Sequence, residues 1–147
     1  MSEPSLLPRE EAIARMEAYQ EALAQAFARG PAHYDALFEK PPSPIAAHEI
    51  DAHKVITRVN AVELQLLGYR PEQMIGRPVL EFVVMQEVGK RAIERKLAET
   101  GEIKPFVRSY VRADGSAIPV LIVDRQRRDT AGRVVGMRTV MMQTAGL

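Results

Sequence analysis

The side chains best able to do chemistry in this chain are three histidines, two nearby aspartates and a group of arginines. A zinc site would need several thiolate or imidazole donors at close spacing. The chain has no cysteine, and His33, His48 and His53 form no His-x3-His pair. The missing cysteine also removes disulfides, thiolate nucleophiles and Cys-held iron–sulfur clusters. Asp124 and Asp129 flank a basic strand end, where Arg125, Arg127 and Arg128 would pair with them in solvent rather than leave them as a catalytic acid pair. Arg125, Arg127, Arg128, Arg133 and Arg138 gather about one hairpin end, the charge pattern of a nucleic-acid patch. A net charge of +1 and the lack of interleaved aromatics favour a solvated loop with no nucleic-acid partner. The nine glycines are scattered, so no phosphate-binding loop is formed, and no Gly-x-Ser-x-Gly elbow is present. The expectation is a protein that is not an enzyme.

The elements that must position these residues follow from pattern. With 147 residues, 46% hydrophobic and 27% charged, the chain has the size and composition of one globular domain. No apolar stretch approaches a membrane span, and the polar start lacks a signal core, so a cytoplasmic protein is expected. Residues 8–29 read as a helix opened by Pro8 and stopped at Gly30-Pro31. Its apolar stripe, Ile13, Met16, Tyr19, Leu23 and Phe27, must be covered by the chain itself or by a second copy, with Gln20 interrupting the seam. A short helix over 33–38 and the stiff Lys40-Pro41-Pro42-Ser43-Pro44 follow. These divide a helical cap with its Pro-rich linker (1–44) from the main module (45–147).

In that module 45–50 and 54–59 read as strands. Asn60 and Glu63 read as a reciprocal capping box for a helix over 61–67, ended by Gly68. Pro71 opens a short turn, 86–100 reads as a longer helix ended by Gly101, and Glu87 and Arg91 are spaced as an i,i+4 ion pair. Strands over 104–112, 117–128 and 133–143 are joined by Asp114-Gly115 and a turn over 129–132, giving an antiparallel meander. The fold class is α+β: a five-stranded antiparallel sheet flanked by short helices and one longer helix.

That order resembles the PAS fold, and local motifs strengthen the likeness. Asp51, the run Val55-Ile56-Thr57-Arg58-Val59-Asn60 and the run Leu66-Leu67-Gly68-Tyr69-Arg70-Pro71-Glu72-Gln73-Met74-Ile75-Gly76 resemble the family's early block. Arg112-Ala113-Asp114-Gly115-Ser116, Pro119-Val120 and Gly132-Arg133-Val134-Val135-Gly136 are similar to its later hairpin and final strand. His53 lies where the family favours a glycine, and Arg70 replaces its usual capping Ser or Thr.

The resemblance implies a bacterial-type sensor that binds a small ligand between the inner sheet face and the longer helix. Its liners would be Ile56, Leu66, Met74, Val83, Ile93, Leu97, Tyr110, Ile122 and Val140, with Tyr110 and Arg108 holding a polar group. Met74, Met85, Met137, Met141 and Met142 would serve as adaptable packing. One haem-binding subfamily takes its axial histidine from the longer helix, which has none here, while other haem-binding members use different positions. His48 or His53, with Met85 opposite, would be the weak haem candidates. The flavin photoadduct needs a cysteine, which leaves only non-covalent flavin. The resemblance also implies a homodimer. The junction that links such modules to kinases or cyclases is absent after Met142. The expectation is a whole chain whose output passes to a separate histidine kinase or regulator. The alternatives are a ligand-free interaction module and a haem-based gas or redox sensor.

Overall fold

A computed structural model describes residues 6–98 and 103–147. Helix α1 (Arg9–Arg29) and helix α2 (Pro31–Glu39) lead into strands β1 (Ala46–Asp51) and β2 (Ile56–Val59). Helices α3 (Ala61–Leu67) and α4 (Pro71–Met74), a 3-10 turn (Val79–Phe82) and helix α5 (Gln86–Ala98) cross to strands β3 (Phe106–Val111), β4 (Ala117–Arg128) and β5 (Val134–Met142). The expected end of α5 at Thr100 and Gly101 lies outside the described residues. The sheet is antiparallel in the order β2-β1-β5-β4-β3, so the N-terminal hairpin docks against the last strand of the meander.

Two apolar clusters sit on opposite faces of this sheet, as the period-2 alternation of strands requires. The inner cluster joins Ile50, Ile118, Val120, Ile122, Met137 and Met141 to residues of α3, α4 and the 3-10 turn. The outer cluster joins Ala47, Leu121, Val123, Val140 and Met142 to Met16, Tyr19 and Leu23 of α1 and to Tyr34 and Phe38 of α2. The N-terminal helix therefore covers the outer face of its own sheet. Phe27, expected in that covered stripe, instead lies 62% exposed with its ring edge-to-face on Tyr34. It falls one turn beyond Leu23, where α1 has run past the packed part of the sheet. Gln20 spans the seam rather than breaking it. Its amide donates to the carbonyls of Val123 and Arg138, each at 2.9 Å, and its carbonyl accepts from Arg138 Nε at 2.6 Å.

Asn60 ties four segments together. Its carbonyl accepts from the Ala47 and Glu63 N–H groups, and its amide donates to the Phe38 and Ile45 carbonyls. Only half of the expected capping box forms, because the Asn60 N–H donates to Ala47 and the Glu63 side chain turns to His48. At Arg70 the opposite half forms: Gln73 reaches back to the Arg70 N–H at 2.8 Å. In the tight β1–β2 turn the left-handed residue is Lys54 (φ 67), one past His53. Asp51 Oδ1 accepts the His53 and Val55 N–H groups there. Gly136 is required by close approach, since a Cβ would run into the Ile50 carbonyl oxygen across the β1–β5 pair.

The two ends of the α1 stripe should therefore respond differently to truncation. Leu23→Ala, at a fully buried position, is expected to lower stability by about 2–5 kcal/mol. Phe27→Ala should change it by about 1 kcal/mol or less. Chemical denaturation of the two variants beside the parent chain measures both.

Candidate functional site

The inner face holds more polar chemistry than an apolar core needs. His48 of β1 pairs across the ladder with Thr139 of β5, and Thr139 pairs with Asp124 of β4. All three side chains point to the inner face, where period-2 alternation puts Asp124 in phase with Ile118, Val120 and Ile122. Thr139 Oγ1 donates to Asp124 Oδ1 at 2.5 Å. Helices complete the row at both ends. Glu63 of α3 meets His48 Nδ1 with Oε1 at 2.7 Å, and Lys96 of α5 places Nζ 2.9 Å from Asp124 Oδ2. Lys96 also lies over the Phe106 ring, 3.3 Å from its centroid. Glu63 is 0% exposed and Lys96 7%. Glu63 Oε2 has no hydrogen-bond partner among the described residues.

The electrostatics follow from this arrangement. Burial alone would lower the His48 pKa, but the charge and hydrogen bond of Glu63, joined by the charges of Asp124 and Glu49, together outweigh it and hold it above the ordinary 6.5. Burial lowers the Lys96 pKa despite the opposing pull of Asp124. Tyr110, its ring 6.2 Å from that of His48, is pushed well up by burial and then by the charges of Glu63 and Asp124. The site can therefore offer a charge-assisted acceptor at Glu63, a buried cation at Lys96 and a neutral phenol at Tyr110 to a molecule that enters it.

Helix α5 covers one side of this row lightly. Of its thirteen residues only Gly89 and Lys96 are buried. Gly89 fits closely against Val83 and Leu80, where an added Cβ would press at 3.3–3.4 Å. Ile93 and Leu97 are only partly buried against the inner cluster. Lys96, with the Gln126 amide donating to its carbonyl, is the main polar attachment of the helix to the sheet.

Of the expected pocket residues, Ile56, Met74, Val83, Tyr110 and Ile122 are buried in the inner cluster, and Leu66, Ile93 and Leu97 pack against its edge. Val140 does not belong with them. It lies on the outer face in the cluster under α1, because its register puts it one residue out of phase with Thr139 and Met141. Of the cap residues, Met16, Tyr19 and Leu23 are buried under the sheet and Ile13 packs at the edge. Met85 is 60% exposed and Met142 lies on the outer face, so neither serves the inner core.

The haem candidates do not fit an iron. His53 is exposed in the β1–β2 turn and Met85 is on the surface rather than opposite either histidine. His48 is buried with its Nδ1 held by Glu63, so a ligand from this ring would have to be Nε2 and would lack the expected methionine across from it. Asp124 is buried, not solvated with the arginines, whereas Asp129 is exposed and caps the hairpin turn through the Ala131 and Arg133 N–H groups. The arginines are not one solvated patch either. Arg138 is buried against Gln20 and Tyr34, and Arg125 pairs with Glu17.

Sequence reasoning missed Lys96 and the inward Asp124. Each carried a signal: Asp124 alternates with three apolar strand residues, and Lys96 shares a helix face with Ile93 and Ala92.

A family model described as the PAS fold matches residues 32–143. Among solved structures, the PAS domain of an HTR-like protein from Haloarcula marismortui is 22% identical, with 86% of this chain and 98% of that one covered and a TM-score of 0.60. VqmA of Vibrio cholerae, in a structure bound to DPO, is 17% identical over 79% of this chain and 58% of that one, with a TM-score of 0.63. The PAS domain of a LuxR-family transcriptional regulator from Burkholderia thailandensis, in complex with ethanol, is 19% identical over 73% of this chain and 94% of that one, with a TM-score of 0.54. At these identities the likeness is one of fold. No curated protein matches the chain significantly in sequence. Among the described residues no helix is long and apolar enough to cross a membrane.

Two measurements probe the polar row. Lys96→Met should cost about 3–5 kcal/mol by stranding the Asp124 charge, and adding Asp124→Asn should restore most of it, read by denaturation. The His48 ring should titrate above 6.5 by NMR, and lower than in the parent in Glu63→Gln, where the main opposition to burial is removed and only the charges of Asp124 and Glu49 remain. Because the folded pKa is raised, the stability His48 contributes is full below the unfolded value and lost as pH rises through the folded one. Glu63→Gln should flatten that loss.

Proposed function

The chain belongs to the PAS-fold family, whose members are in general sensory and signalling modules, and from that premise we propose that it senses a small molecule held between α5 and the inner sheet face. The observation that carries this reading is the row Glu63–His48–Thr139–Asp124–Lys96, buried beneath a helix that is itself lightly seated. Buried ion pairs add little to stability beyond what apolar packing of the same volume would supply. A row of this kind is better suited to recognition, because the unmet Glu63 Oε2 gains from a ligand that completes its hydrogen bonding. The inner-cluster residues Ile56, Met74, Val83, Tyr110 and Ile122 would give the apolar contacts, with Leu66, Ile93 and Leu97 at the mouth. VqmA with DPO and the Burkholderia domain with ethanol support ligand binding by this fold.

The signal would arise from differential affinity for two seatings of α5. A ligand that engages Asp124 competes with Lys96 and shifts the helix. β4 and β5 would pass the change to the cap, residues 1–44, and from there to a second copy or to a separate kinase or regulator. A ligand-free interaction module is the second reading. Its supporting observation is the group of exposed apolar residues Val84, Met85 and Val88 at the start of α5.

Native mass spectrometry of protein freshly isolated from cells, with an absorption spectrum, tests the proposal. The expected result is a bound small molecule, lost or weakened in Glu63→Gln. A bare dimer that variants of the α5 patch convert to monomer would support the interaction module instead, and a bare monomer would contradict the proposal.

A further inference from the structure

The outer face carries a second built feature, separate from the inner row and not needed by it. A cleft of about 180 Å3 opens where α1, α2 and the β4–β5 hairpin end meet. Its floor and walls bring Arg127, Arg128 and Arg138 together with a single carboxylate, Glu49. Both oxygens of Glu49 are already met, Oε2 by the Tyr34 hydroxyl and Oε1 by Arg127 Nη2 at 3.6 Å.

The other two guanidinium groups are held mainly by neutral oxygens. Arg138 donates to Gln20 Oε1, to the Gln20 carbonyl and to the Tyr34 hydroxyl, at 2.6–3.3 Å. Arg128 donates to the Gly132 carbonyl and to Gln126 Oε1, each at 2.7 Å. Such bonds fix the orientation of a cation without neutralising it, which is the preorganisation an anion site requires. Beside this positive floor stands Phe27, exposed yet held edge-to-face on Tyr34 at 5.8 Å. An exposed ring at the mouth of a cationic cleft offers a face to a flat apolar group.

We infer that this cleft binds a small aromatic carboxylate, its carboxylate toward Arg128 and Arg138 and its ring against Phe27. The cleft volume admits a single ring. A bound molecule would touch the cap helices and the sheet at once, clamping α1 to the β4–β5 hairpin. It would also bear on β4 and β5, the strands that carry Asp124 and Thr139 of the inner row.

The test is calorimetric titration of the full chain with benzoate, using benzamide as the neutral analogue of the same shape. Benzoate is expected to bind at one site and benzamide roughly tenfold more weakly. Phe27→Ala and Arg128→Gln, both at exposed positions that leave the fold intact, should each weaken benzoate binding by roughly tenfold. Arg133→Gln on the exposed turn and Glu63→Gln in the inner row should leave it unchanged, which separates this cleft from the proposed inner pocket. No binding at millimolar benzoate, equal binding of benzamide, or binding insensitive to Phe27→Ala and Arg128→Gln would overturn the inference.

Discussion

A carboxylate taken out of water must be met by positive charge or by hydrogen-bond donors, or it takes up a proton. The inner face of this sheet takes in two, Glu63 and Asp124, and the arrangement around them follows from meeting that demand. His48 meets Glu63, which holds α3 against β1. Lys96 and Thr139 meet Asp124, which brings α5 down onto β4 and β5. Without its lysine, α5 would lose its buried ion pair to the sheet and rest on the close approach of Gly89, the edges of Ile93 and Leu97 and the Gln126 bond to the residue 96 carbonyl. The ion pair therefore decides where the helix sits, and anything that competes for Asp124 alters it.

The outer face obeys the same constraint by different means. Arg138 and Glu49 are buried under α1 and α2, where Gln20 and Tyr34 supply the polar partners. Gln20 bonds to the carbonyls of Val123 and Arg138, each the immediate neighbour of an inner-row residue, Asp124 or Thr139. The two polar systems thus share adjacent residues of β4 and β5. A shift of these strands is felt on both faces, because packed layers rearrange between discrete states rather than deform smoothly. This is the physical route that the proposed signalling from core to cap would take.

Most of the fold was legible because it rests on local signals. Asn60, Gly68 and Asp114-Gly115 punctuate the chain where helices and hairpins begin and end, and β4 falls at 117–128 as its β-branched run implies. The inner-face residues were mostly legible from family order and alternation. Val140 was not, since a one-residue phase error moves a strand residue to the opposite face. The polar row escaped for a different reason. Asp124 stands next to three arginines in sequence, but alternation turns those side chains to the other face or past the sheet end, and its partner Lys96 is 28 positions away. Glu63 reads locally as a capping residue, and only the docking of β1 offers it His48 instead. Gln20 looks like a fault in an apolar stripe until the carbonyls beneath it are seen.

A high-resolution crystal structure of the protein isolated from cells tests the central claim most directly. The account predicts ordered non-protein density between α5 and the inner sheet face, within hydrogen-bond reach of Glu63 Oε2. Side chains closing that space completely, with Glu63 Oε2 bonded only to protein, would contradict it.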